Sequence, residues 1–324
     1  VLLADGPDGP DGTTRGRPTV VVDRRGVGEF EGAGMSVWVE AARPRTLPAA
    51  VAPVLVGTVL ATTVVWWRAV VALLVALTLQ VAVNFANDYF DGVGGIDTED
   101  RVGPRRVVAA GLVEPAEMRR AIALVLVVAV ALGGTLVVAV GPELLVVGVL
   151  AVLATLGYSG GSRPYASLGL GEVMVFVFFG LVATAGTTYV QDEVLAAAPL
   201  VAGAAMGALA TALLVVNNLR DVPTDTATGK RTLAVRIGEA NTRRLYVALV
   251  VAAFAALGVL VQVTGAGWAL LALLSLPLLA GAAQLVLSAP IGPRLVEALE
   301  RTARGQLVFA VLLSSGIVLD RLVS

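Results

Sequence analysis

The 324 residues carry 23 basic and 24 acidic side chains for a net charge of −1, so nothing argues for a nucleic-acid partner. Charged residues make up 15% of the chain and hydrophobic residues 57%, with a mean hydropathy of +0.87; an average soluble domain carries about a quarter charged residues. The absence of Cys and His excludes disulfides, thiolate or imidazole zinc sites, His-ligated haem and a His base, and leaves oxygen donors suited to Mg²⁺, Mn²⁺ or Ca²⁺.

Residues 1–34 are rich in Gly, Pro, Asp and Arg and lack the apolar stretch of a signal peptide. The first Met is Met35. Residues 1–34 are therefore expected to be a disordered or non-native extension, with a membrane domain over 35–324.

From residue 47 onward, apolar runs recur at lengths that cross a bilayer as helices. Nine spans are expected: 47–67, 69–90, 119–140, 143–159, 168–190, 195–219, 243–264, 266–288 and 303–321. The fold class is thus an all-α polytopic membrane protein, its helices arranged around a central cavity. Threading the spans with a cytoplasmic N-terminus puts Arg43, Arg45, Arg101, Arg105, Arg106, Arg163, Lys230 and Arg231 inside, and only Arg68 and Arg321 outside. The positive-inside rule supports both the count and the orientation.

Span 2 ends in Asn84-Phe-Ala-Asn87-Asp88-Tyr-Phe-Asp91, and span 6 in Asn217-Asn218-Leu-Arg-Asp221-Val-Pro-Thr-Asp225. Each has an Asn four residues before an Asp (Asn84/Asp88, Asn217/Asp221) and a further Asp three or four residues on, spacings that share one helical face. Both motifs fall on the cytoplasmic side. The loops that follow echo each other, Asp97-Thr98 then Arg105-Arg106 against Asp225-Thr226 then Lys230-Arg231. A weak four-helix repeat in one orientation would set the motifs facing each other across the cavity.

Acids at the end of a membrane helix are costly and mark sites. A lone Asp there is ordinarily a solvated cap, whereas two matched motifs on one side are not. Asp88, Asp91, Asp221 and Asp225 repel each other unless cations sit between them, and a diphosphate would add about three negative charges. Two Mg²⁺ ions would bridge carboxylate to phosphate. Lys230, Arg231, Arg163, Arg101 and Arg45 could donate to phosphate directly. Metal-bound diphosphate would leave an allylic carbocation whose hydrocarbon tail lies between the helices. Asn87 and Asn218 would cap or orient ligands. Tyr158 would anchor the chain at the interface or wall the carbocation.

Asn87-Asp-Tyr-Phe-Asp91 with Asp221-x-x-x-Asp225 resembles the UbiA superfamily of intramembrane aromatic prenyltransferases. Arg43-Pro-Arg-Thr-Leu-Pro48, Arg101-Val-Gly-Pro-Arg105, Asn217-Asn-Leu-Arg-Asp221 and Gly229-Lys-Arg-Thr-Leu-Ala234 are closest to its 1,4-dihydroxy-2-naphthoate polyprenyltransferase (MenA) branch. The resemblance implies Mg²⁺-dependent transfer of a polyprenyl chain from its diphosphate to dihydroxynaphthoate in the cell (inner) membrane. Diphosphate and CO₂ are lost and demethylmenaquinone, the precursor of menaquinone, is formed. Displacing a carboxylate needs no base, so a His-free site is no handicap.

By the same resemblance Asn84, Asp88 and Asp91 would hold one ion and Asp221 and Asp225 the other. Lys230 and Arg163 would hold diphosphate, and Arg45 and Arg101 the diphosphate or the acceptor carboxylate. Asn217 belongs with the substrate pocket. The alternative acceptors are 4-hydroxybenzoate and homogentisate. A cation-coupled transporter is the remaining reading, but the acids cluster at helix ends rather than at mid-bilayer.

Overall fold

Apolar runs this long have one stable solution in hydrocarbon, helices that satisfy their own backbone. The computed structural model describes residues 37–95 and 105–323, so the extension expected at 1–34 and the loop residues Asp97, Thr98 and Arg101 lie outside the described residues. The helices are α1 (Val37–Ala42), α2 (Pro48–Leu60), α3 (Trp66–Val93), α4 (Pro115–Ala139) and α5 (Glu143–Gly157). After α6 (Gly171–Val175) a π-helical stretch, Phe176–Val182, leads into α7 (Ala183–Asp192), followed by α8 (Ala197–Ala227) and α9 (Leu233–Thr264). A 3₁₀ segment, Gly267–Ser275, runs into α10 (Leu276–Ser288), and α11 (Arg294–Val323) ends the described chain.

Apolar helices lie at all nine expected places, but only seven of those described are long and apolar enough to cross a membrane. The first and fourth spans appear as α2 and α5, of 13 and 15 residues. A helix rises 1.5 Å per residue, so neither covers a hydrocarbon core of about 30 Å unaided. The expected span at 243–264 begins earlier, because α9 starts at Leu233 and breaks at Gly238 (φ 78°). Large apolar side chains on the outer faces, among them Leu124, Val130, Val138, Leu153 and Leu274, are more than half exposed. Such a surface belongs to a multi-pass membrane protein.

α8 is the helix around which the others pack. Of its most apolar stretch 72% is buried, against 17–39% in the other six long helices. Its sequence there is mostly Ala, Gly and Leu, and small side chains let backbones approach closely. At Gly180 in the π-helical stretch, an added Cβ would lie 2.4 Å from the Gly207 Cα and 2.6 Å from the Gly203 carbonyl oxygen of α8. A larger core joins α8 to α9, α10 and α11 through Leu209, Tyr246, Leu257, Leu279 and Phe309. A smaller one packs α1 and the end of α3 against residues 107–113 and α4, through Phe85, Val107, Met118 and Ile122. It covers the polar end of α3.

Gly180→Val should force α8 away from the π-helical stretch and lower stability by about 1–3 kcal/mol. Gly258→Ala in α9, where nothing stands within 4 Å of the new Cβ, should leave stability unchanged or raised. Thermal melts of both variants in detergent check the contrast.

Candidate active site

The C-terminal turns of α3 and α8 meet at a polar pocket of about 50 Å³. From α3 it is lined by Asn87 and Asp91, and from α8 by Asn217, Asn218, Asp221 and Asp225; Arg43, Arg106, Tyr158, Lys230 and Thr232 complete it. At 100° per residue the polar stripe of α3 is broad, and its two edges face different surroundings. Asn87 and Asp91 occupy the edge towards the pocket. Asn84 and Asp88 occupy the other and line no part of the pocket.

That second edge holds loops. The Asp88 carboxylate is fully buried and accepts from two successive backbone N–H groups, Val107 at 3.1 Å and Val108 at 2.9 Å. This fixes the segment that carries Arg106, whose Nη2 donates to Asp91 Oδ2 at 3.2 Å. Asn84 Nδ2 donates to the Ala42 carbonyl at 2.8 Å and to Thr46 Oγ1 at 3.0 Å, and Asn84 Oδ1 accepts from Gln80. This fixes the segment that carries Arg43. Asn84 and Asp88, expected as metal ligands, here spend their polar atoms on the chain segments beside α3 and on Gln80, and neither lines the polar pocket, although Asn84 lines the larger cavity that adjoins it.

The pocket carboxylates are ion-paired or hydrogen-bonded. Asp91, 2% exposed, accepts from both Arg106 and Lys230, the latter at 3.1 Å. Lys230 comes from the other motif: the turn after α8 closes by Lys230 N–H donating to the Asp225 carbonyl, with Gly229 at φ 77°. Arg220, buried beside Asp221, donates to it through Nε at 2.7 Å and Nη2 at 2.8 Å, and also to Asn217 Oδ1. Thr232 Oγ1 donates to Asp225 at 3.2 Å. Asn218 Nδ2 donates to Glu172 Oε1 at 2.9 Å, bringing a buried acid of α6 up behind the pocket. Charge-assisted pairs of this kind offset the cost of burying each carboxylate.

A second cavity of about 360 Å³ adjoins the first and is walled by α2, α3, α4, α5, the 171–192 segment and α8. Its surface is mostly apolar, with Phe178 and Phe179 from the π-helical stretch among its walls. Four residues line both spaces: Arg43, Asn87, Tyr158 and Asn217. Tyr158 closes α5 and stacks edge-on against Tyr165.

Of the residues expected from sequence, Asn87, Asp91, Tyr158, Asn217, Asn218, Asp221, Asp225 and Lys230 are brought together. Arg163 and Arg231 are exposed and line neither space, and Arg45 is exposed and pairs with Glu300 at 2.9 Å. Arg101 is outside the described residues. Arg43, Arg106, Arg220, Glu172 and Thr232 were not expected as site residues, although Arg43, Arg220 and Thr232 each stand one or two residues from one that was.

A family model described as the UbiA prenyltransferase family matches residues 50–291. The chain is 42% identical over 290 residues to a 1,4-dihydroxy-2-naphthoate octaprenyltransferase of Mycobacterium leprae, covering 89% of this chain and 98% of that one. It is 38% identical to the protein so named in Escherichia coli, with 88% and 96% covered. A UbiA homologue from Archaeoglobus fulgidus solved with GPP and Mg²⁺ has the same fold, at a TM-score of 0.56, 14% identity, and coverage of 86% and 99%.

Asp88→Ala should leave the Val107 and Val108 N–H groups unpaired and cost about 1–3 kcal/mol. Limited trypsin digestion should then cut after the buried Arg106, which wild type resists. Arg45→Ala, breaking an exposed pair, should shift stability by less than about 0.5 kcal/mol.

Proposed function

The chain belongs to the UbiA prenyltransferase family, and from that premise we propose that it moves a polyprenyl chain from polyprenyl diphosphate to 1,4-dihydroxy-2-naphthoate. Diphosphate and CO₂ leave, and the ring stays at the hydroquinone level as demethylmenaquinol, on the route to menaquinone. One observation carries this reading: a small pocket of paired charges opens through four residues onto a larger apolar cavity. A molecule with a charged head and a hydrocarbon tail fits that division, and its reacting carbon would sit at the boundary.

The donor set suits Mg²⁺. Three carboxylates, Asp91, Asp221 and Asp225, reach one pocket from two helices, and their oxygens are the hard ligands this ion takes. The pocket lining also carries three cations, Arg43, Arg106 and Lys230. Diphosphate would upset that balance by about three negative charges, which divalent ions would restore. Among the described residues no three acids already stand around one point. That accords with ions shared between carboxylate and phosphate rather than caged by protein. We assign Asp91 to one ion and Asp221 with Asp225 to a second. When bound, they would neutralise diphosphate and make it a better leaving group.

The remaining steps rest on side chains present here. Lys230 and Arg106 already donate to Asp91 at the polar pocket and would donate to diphosphate oxygens there. The apolar cavity would take the prenyl tail and keep water from the allylic carbon. Tyr158, as a neutral phenol, would flank that carbon. No base is required, since the acceptor gives up CO₂ in place of a ring proton. Arg43, Arg106 and Lys230 lie at the pocket end of the bundle, and Arg68 lies at the other end of α3. By the positive-inside rule the pocket would face the cytoplasm from the cell membrane.

Membranes containing the protein should make prenylated product from dihydroxynaphthoate, a polyprenyl diphosphate and Mg²⁺, and none with EDTA. Product from 4-hydroxybenzoate or homogentisate instead would reassign the acceptor. Asp91→Asn and Asp221→Asn should each lower kcat/KM by roughly a hundred- to a thousandfold at wild-type abundance. Near-normal rates in either would remove the metal assignment.

A further inference from the structure

Where the acceptor sits follows from the boundary between the two cavities. If diphosphate occupies the polar pocket and the tail the apolar one, an attacking ring carbon can approach only where the two spaces meet. The residues lining both are Arg43, Asn87, Tyr158 and Asn217. Three are neutral and one is a cation. Asn87 Oδ1 already accepts from Ser159 and Asn217 Oδ1 from Arg220, which turns the amide N–H groups to the remaining donor work. An aromatic ring bearing hydroxyls and one carboxylate matches that inventory: amides and a phenol for the hydroxyls, one guanidinium for the carboxylate.

Arg43 is also held in a way that an orientation-setting arginine is not. Its backbone is left-handed, with φ 53° and ψ 70°. A non-glycine residue adopts that conformation at a cost, met by the surrounding structure. Here Thr46 supplies two hydrogen bonds to the Arg43 carbonyl, from its N–H and its Oγ1, both at 2.9 Å. Thr46 Oγ1 is in turn fixed by Asn84 and Gln80 of α3. The other pocket cations, Arg106 and Lys230, meet Asp91 and line only the polar space.

We propose that Arg43 binds the carboxylate of the aromatic acceptor at the junction of the two cavities. The proposal rests on the prenyl-transfer reading above and names the acceptor subsite within it. Recognition is charge-assisted and bidentate in kind, so an acceptor without a carboxylate loses it.

The test measures KM for each substrate in wild type, Arg43→Gln, Arg43→Lys and Arg43→Asn. It also measures the inhibition constant of 1,4-dihydroxynaphthalene, which lacks the carboxyl group. Asn tolerates the left-handed conformation, so Arg43→Asn keeps the turn while removing the cation. The expected result is a rise of about ten- to a hundredfold in KM for dihydroxynaphthoate in the Gln and Asn variants. Arg43→Lys should fall between these and wild type. KM for the polyprenyl diphosphate should stay within about twofold, since the contact removed is one to the acceptor alone. Wild type should bind the naphthoate better than dihydroxynaphthalene, and the variants should lose that preference. A rise confined to the diphosphate KM, or unchanged constants for both substrates, would overturn the Arg43 assignment with prenyl transfer intact. Failure of wild type to prenylate the naphthoate at all would instead remove the function it rests on.

Discussion

Three carboxylates, Asp91, Asp221 and Asp225, are buried at the facing ends of two helices, and each is between 2% and 7% exposed. An ionised carboxylate in such surroundings costs several kcal/mol unless it is paired. The pairing is what ties the two halves together. Lys230, which follows α8, reaches Asp91 on α3, and Arg106, which follows α3, reaches the same oxygen. Arg220 closes on Asp221 within α8 itself, and Thr232 on Asp225. The loops after α3 and α8 are therefore placed by the charges they must satisfy. The same charges would be partly released to substrate and metal, so the pocket is built from interactions that ligands can replace.

The end of α3 divides its polar residues between two tasks. Asn87 and Asp91, four apart, face the pocket, as Asn217 and Asp221 do on α8. Asn84 and Asp88, also four apart, sit about 60° round the helix and grip chain segments on either side. One grip carries Arg43 and the other Arg106. Carboxylate to backbone N–H is a strong contact in a dry setting, which suits it to holding a loop against the field of its neighbours. On α8 the corresponding support comes from Glu172 behind Asn218, and from close packing against the π-helical stretch.

Much of this was legible in the sequence. Hydrophobicity located the seven described helices long enough to cross a membrane and the two shorter apolar ones, and the paired motifs located the pocket, because burying several acids together has few explanations. Two things were not legible. Helix lengths depend on where the backbone breaks, and neither the left-handed Gly238 nor the shortness of α2 and α5 is written in hydropathy. The spacing of four is shared by Asn84/Asp88 and Asn87/Asp91, so periodicity alone cannot say which edge of a broad stripe faces inward. Arginines were the hardest. Arg43, Arg45, Arg105 and Arg106 are loop residues on long side chains, and their direction is set by turns, not by spacing. Arg43 and Arg106 face the pocket, while their neighbour Arg45 meets Glu300 on the surface.

The junction is also the place where an allylic cation would be most exposed to the wrong nucleophile. What stands there is neutral or positive: two amides, a phenol and a guanidinium. A phenolate would compete with the acceptor, but a phenol such as that of Tyr158 is ordinarily protonated at neutral pH. The chain contains no thiol and no imidazole to be alkylated. The nearest carboxylates are engaged with Lys230, Arg106 and Arg220. The absence of His and Cys, which first excluded other chemistries, also removes two side chains that such a cation would readily alkylate. The reacting carbon is left one electron-rich partner, the ring held against Arg43.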